Sequence, residues 1–154
     1  MVGNGGFILD YIRNEIDYLV KKYKTRDPFE LCSALGIECN IMELHPEING
    51  IYQYERKNQF IYINSNLETI PRIITCSHEL GHARLDKNVN CTFIKNHTLY
   101  NMNKIERPAN LFAAHLMIPD ESLVFDGQTI SELAAELNVP VELVKLKLDG
   151  MKLF

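Results

Sequence analysis

The pentapeptide His78-Glu79-Leu80-Gly81-His82 constrains this chain more than any other stretch. Histidines four positions apart lie one turn apart on the same face of a helix. That spacing lets both imidazoles reach one metal ion, provided the segment is helical. Glu79 is turned roughly 100° from His78, so it stands beside such an ion and can hold a water there. Gly81 costs roughly 1 kcal/mol in helix propensity, which predicts the close approach of another element at that position.

The surrounding pattern supports a helix. Pro71 fits its first turn, and Ile73, Leu80 and Ala83 give it an apolar face out to about Asp86. Upstream, Phe7–Tyr23 carries apolar residues at helical period. Asp27, Pro28 and Glu30 form a helix start with a capping box, and Gly36 a stop. Three strand-like runs follow, Ile37–Leu44, Gly50–Tyr54 and Phe60–Ile63, with Glu55–Gln59 as a hairpin connection. They predict a three-stranded antiparallel meander. Lys87–Asn103 reads as a loop, Glu106–Met117 as a helix ended by Pro119, and Ile130–Leu137 and Val141–Leu148 as two further helices. Thr129 and Glu132 form a capping box for the first of that pair. Helices, then strands, then helices indicate an α+β fold.

Two histidines do not complete a site, since a catalytic zinc usually takes three protein ligands and a water. Glu106, His97 and His115 are the downstream candidates, with Asp86 as an outsider. Glu106 opens a helix 24 residues after His82, which suits a helix–loop–helix return. The helix dipole there keeps its carboxylate ionised. Asn110, one turn on, is placed to orient a liganding imidazole. His115 lies nine residues beyond Glu106, about half a turn around, and is expected to face away from it.

At this point the residues resemble a family. His78-Glu79-Leu80-Gly81-His82 is followed by Glu106-Arg107-Pro108-Ala109-Asn110-Leu111-Phe112-Ala113-Ala114-His115-Leu116-Met117-Ile118-Pro119. Together they look like the paired motifs of the ImmA/IrrE metallo-endopeptidases, whose second motif runs roughly E-x-E-A-N-x-F-A-A-x-L-L-x-P. Lys24–Leu31 and the run Phe60–Ser65 also look like that family's N-terminal region. The resemblance covers about residues 8–148. It implies a zincin-like fold, with a small three-stranded antiparallel sheet on the HExxH helix and a second ligand-bearing helix. It implies one Zn²⁺ per chain held by His78, His82 and Glu106, a gluzincin-like set, with Glu79 as the catalytic base. Pro108 departs from the family's usual second Glu, which removes a competing ligand.

By this reading residues 1–127 are the metallopeptidase domain and residues 128–154 a helix-turn-helix-like pair packed on or beside it. The implied function is a zinc endopeptidase that cleaves a helix-turn-helix repressor and derepresses phage or mobile-element genes. The alternative is a non-catalytic, metal-containing regulator that binds the repressor. Tyr100, His97 and His115 are the candidates to stabilise a developing oxyanion.

Composition excludes several other classes. Sixteen Lys+Arg against 20 Asp+Glu leave a net charge of −4, whereas a duplex-binding protein carries a basic surplus. The tail helix's outward set, taken as Glu142, Lys145, Lys147 and Asp149, sums to zero, so no direct nucleic-acid partner is expected. No apolar run approaches the roughly 20 residues of a membrane span. The first residues lack the basic region of a signal peptide, so a cytoplasmic chain is expected. Cys32, Cys39, Cys76 and Cys91 show no CxxC pairing and read as free thiols in or near the core.

Overall fold

The computed structural model describes residues 4–95, 104–124 and 126–151. Local sequence signals set most of the helix boundaries. Helix α1 spans Asn4–Tyr23 and buries Ile12, Ile16 and Leu19. Helix α2, Pro28–Leu35, begins where Asp27 accepts a hydrogen bond from the Phe29 amide and ends at Gly36, φ 73°. The Glu30 side chain does not return to cap this helix. It accepts from the Thr25 hydroxyl instead, and Thr25 in turn accepts from the Asp27 amide. Helix α3 spans Thr69–Leu85, α4 Glu106–Met117, α5 Ile130–Leu137 and α6 Val141–Gly150. The Thr129–Glu132 capping box forms in full at the start of α5.

Among the described residues four strands make one mixed sheet: β1 (Glu38–Met42), β2 (Ile48–Glu55), β3 (Asn58–Asn64) and β4 (Cys91–Ile94), in the order β1-β3-β2-β4. This corrects the three-stranded antiparallel meander in two ways. β1 pairs parallel with β3 rather than antiparallel with its chain neighbour β2. A fourth strand, β4, arises in the stretch read as a loop and pairs antiparallel with β2. The β2–β3 hairpin closes as expected, through Arg56 and Lys57, both at positive φ as a two-residue primed turn requires.

One buried side chain explains how β1 steps over β2. Asn64, 1% exposed at the end of β3, donates to the carbonyls of His45 (3.1 Å) and Ile48 (2.7 Å) and accepts from the Leu44 amide (3.3 Å). It clamps the short β1–β2 connection so that β3 can return between the two strands.

The α+β, zincin-like architecture follows from this sheet. Helix α3 packs across β2 and β3, α4 packs on α3, and α1 and α6 pack on α4. The core is continuous from Leu31 and Ile61 through Leu80 and Phe112 to Leu143 and Leu146, so α6 shares it. Among the described residues no helix is long and apolar enough to cross a membrane. Asn64→Ala is expected to cost about 2 kcal/mol or more, because buried amide and carbonyl groups of the clamped loop lose their partner. Urea unfolding midpoints measure this. A loss under about 0.5 kcal/mol would mean that the loop holds without the clamp.

Candidate metal centre

Helix α3 presents His78 and His82 on one buried face, both 0% exposed. Helix α4 begins at Glu106, whose carboxylate reaches back to the pair. Glu106 Oε2 lies 3.0 Å from His78 Nε2 and Glu106 Oε1 3.1 Å from His82 Nε2, while the two Nε2 atoms are 3.1 Å apart. A four-coordinate zinc with nitrogen and oxygen ligands at about 2.0–2.1 Å separates its donors by about 3.3–3.4 Å. The observed donors therefore surround a space of the right size and need only small adjustments to accept an ion.

The tautomer is set from outside. His78 Nδ1 donates to Asn110 Oδ1 at 2.7 Å, since a carboxamide oxygen can only accept. This leaves the His78 Nε2 lone pair directed at the shared space, the usual arrangement for a metal-binding imidazole. Phe93 of β4 stacks on His78 with ring centroids 4.0 Å apart, and Tyr52 of β2 stacks on His82 at 6.4 Å. Tyr52 is itself tied down. Its hydroxyl donates to the Lys87 carbonyl (2.6 Å) and accepts from Gln59 (3.0 Å).

Glu79 is fully buried, and among the described residues neither of its oxygens has a hydrogen-bond partner. Burial, and after it the charge of Glu106, pushes its carboxyl well above the ordinary range. Burial also raises Glu106, but the imidazoles of His78 and His82 beside it outweigh this and hold the carboxyl well below its usual value. Desolvation lowers the His78 imidazole, keeping it neutral and able to ligate. A buried carboxylate with both oxygens orphaned is a rare feature that an ion or water must explain. A divalent cation among these residues relieves both the desolvation and the mutual repulsion of the two carboxylates. The residues thus fit a metal.

The other candidates fall elsewhere. Asp86 follows the last residue of α3, with its amide bonded to the His82 carbonyl. His97 and Tyr100 lie outside the described residues. His115 is buried against α6, where its Nδ1 accepts from Lys147 Nζ at 3.0 Å, on the side of α4 away from Glu106 as the half-turn separation requires. This corrects the outward face assumed for α6. Lys147 is 1% exposed and also donates to Asp120 at 2.6 Å.

The sequence reading missed Tyr52, Phe93 and Cys91. Burial, then the charges of Glu106, Glu79 and Asp86, holds the Cys91 thiol up at about 12. Only the four-residue run Cys91-Thr92-Phe93-Ile94 signalled a strand there, between polar neighbours.

Two carboxylates and two imidazoles, brought together by packed helices and shielded by aromatic rings, suit a metal-dependent hydrolase. The chain belongs to the M78 peptidase family, a family of metallopeptidases, whose model, described as the IrrE N-terminal-like domain, matches residues 32–149. It is 42% identical over 139 residues, 88% of each chain, to a protein of Bacillus phage phi105 named uncharacterized immunity region protein 2. It is also 29% identical over 150 residues to the metallopeptidase ImmA of Bacillus subtilis strain 168, covering 93% of this chain and 87% of that one.

His115 gives this region a pH signature. Burial, then the positive charges of Lys147 and Arg13, holds its imidazole down at about 3. An unfolded histidine titrates near about 6.5. As pH falls from about 6.5 toward 3 the unfolded chain takes up this proton and the folded chain does not, so stability falls across that window. His115→Gln is expected to flatten the pH dependence of the urea midpoint there relative to the parent chain. Parallel curves for the two proteins would refute the assignment.

Proposed function

We propose that the chain is a zinc endopeptidase that cuts a peptide bond in a helix-turn-helix repressor and so derepresses phage or mobile-element genes. The observation that carries the reading is the convergence of His78, His82 and Glu106 with the buried Glu79, whose oxygens have no hydrogen-bond partner among the described residues, in a chain of a metallopeptidase family. Two nitrogens and one oxygen favour zinc over calcium or magnesium, which prefer all-oxygen surroundings. The name of the phage relative, an immunity region protein, supports a phage-borne setting, and the name of the bacterial one supports peptidase chemistry. A repressor substrate puts the site of action in the cytoplasm.

In this reading His78, His82 and Glu106 hold the ion, a gluzincin-like set, and Asn110 fixes the His78 ring. A zinc ion held there would supply Lewis acidity toward the scissile carbonyl and would acidify water toward a pKa of roughly 7. Glu79 takes a proton from the attacking water and passes it to the leaving amine as the C–N bond breaks. Strand β4 pairs with β2 alone among the described residues, and its Phe93 touches the His78 ring. Its other edge suits an extended substrate segment docked by main-chain hydrogen bonds. Residues 1–127 form the peptidase unit, and 128–154 the helical pair that braces it.

Elemental analysis of protein purified without chelator tests the ligand set. Asn110→Ala is expected to weaken metal binding by about 10–100-fold, the usual effect of losing a group that orients a ligand, and Glu106→Ala by more. His115→Ala should keep its metal. Full retention in Glu106→Ala would rule that ligand out.

Glu79→Gln separates enzyme from binder. The variant should keep the metal and still bind the repressor, yet cut it about 10²–10⁴-fold more slowly, the usual cost of losing a general base. The assay incubates purified chain with the repressor encoded beside it and watches for fragments. If parent and variant relieve repression equally and neither yields a fragment, the chain acts by binding alone.

A further inference from the structure

The thiols of Cys32 on α2, Cys39 on β1 and Cys76 on α3 point to one place, with their Sγ atoms within 4.8 Å of one another. Their sequence separations form no metal-binding motif, and the fold alone assembles them. Cys32 and Cys76 are fully buried, while Cys39 is half-buried and opens the cluster to solvent. We propose that these three residues form a second, thiolate-only site for a soft d¹⁰ cation, Zn²⁺ or Cu⁺.

The dimensions suit such an ion. At a metal–sulfur distance of about 2.3 Å, ligand sulfurs stand about 3.8 Å apart in a tetrahedral set and about 4.0 Å apart in a trigonal one. The observed cluster needs a contraction of under about 1 Å, within reach of side-chain rotation. Thiolate sulfur selects zinc and monovalent copper over the hard cations. Cys76 precedes His78 by two positions, roughly 200° around α3, so this site lies on the opposite face of that helix from the His78–His82–Glu106 centre. An ion there ties α2 and β1 to the helix that carries both histidines. The proposal does not depend on the peptidase reading.

The probe is Cd²⁺, a soft d¹⁰ ion whose thiolate complexes show a charge-transfer band in the near ultraviolet. It is titrated into metal-stripped full-length chain under a phosphine reductant, which excludes disulfides. The parent chain is expected to bind two equivalents, one of them with the band. His78→Ala/His82→Ala should keep one equivalent and the full band. Cys39→Ser should lose the band and keep the other equivalent, and Cys91→Ser should behave as the parent. The absence of a band in the parent, its persistence in Cys39→Ser or its loss in Cys91→Ser would overturn the proposal. A second measurement needs no variant: the parent is alkylated with iodoacetamide in the presence of Zn²⁺ or Cu⁺, and modification of Cys39 is read by mass spectrometry. Protection of at least about tenfold by either ion supports the site and identifies the ion it takes. Equal alkylation with and without both ions overturns it.

Discussion

The separation of α3 and α4 is the dimension on which the candidate centre depends. It is set at Gly81, where a Cβ would stand 3.1 Å from Ala109 Cα, 3.1 Å from Phe112 Cβ and 3.2 Å from the Ala109 carbonyl oxygen. The helix interior tolerates this glycine, despite its propensity cost of roughly 1 kcal/mol, because any side chain would push α4 away. Glu106 lies one turn before Ala109 on α4, and His82 directly follows Gly81 on α3. Donor spacing near 3 Å is therefore a consequence of backbone contact between two helices. Gly50 has the same role on the sheet side. A Cβ there would meet Thr75 Cγ2 at 2.6 Å and Glu79 Oε1 at 3.3 Å, so α3 is pressed between β2 and α4 at two glycines.

That compression has an electrostatic cost. His78, Glu79, His82, Glu106 and Asn110 are all buried, and the charge of Glu106 adds to the burial that raises the Glu79 carboxyl. Burying polar groups without full pairing opposes folding. Here the opposition is concentrated at one spot and surrounded by well-packed apolar groups, including Tyr52, Leu80, Phe112 and Leu116. A centre held in this way is preorganised. Its side chains have little freedom to rotate away when a cation is absent, so an ion entering finds its donors already assembled.

What was legible in the sequence was local. The start of α2 at Asp27-Pro28, its stop at Gly36, the Thr129–Glu132 box and the span of α4 all rest on interactions within a few residues. The paired histidines, the place of Asn110 one turn after Glu106 and the close approach at Gly81 were readable because helical geometry is periodic, whereas the choice of Glu106 over His97 and His115 came from the family resemblance. Non-local pairing was not readable. Nothing in Glu38–Met42 says that its partner is β3 rather than β2, since that choice depends on Asn64 holding a loop 16–20 residues away. β4 is four residues long among polar neighbours, too short for periodicity to register. Lys147 looked solvent-facing by residue type, and its burial depends on Asp120 and His115, 27 and 32 residues distant. The thiol cluster was invisible for the same reason, because three elements must pack before its spacing exists.

The far end of α4 shows why the C-terminal helices matter to a centre they do not touch. Arg26, just before α2, donates from Nη1 to the carbonyls of His115 (3.1 Å) and Leu116 (2.9 Å), satisfying groups that a helix C-terminus leaves open and placing positive charge at the negative end of its dipole. Lys147 of α6 meets His115 on the same turn, and Asp120 joins Lys147 to Arg13 of α1. Helix α4 is thus fixed at its last turn by α1, α6 and the segment before α2, and at its first turn by the two histidines that receive Glu106. A rod held at both ends cannot rotate, and rotation about the α4 axis is the motion that would carry Glu106 out of line with His78 and His82. The tail, which carries no residue of the candidate centre, therefore bears on its geometry by holding the opposite end of the helix that supplies the carboxylate.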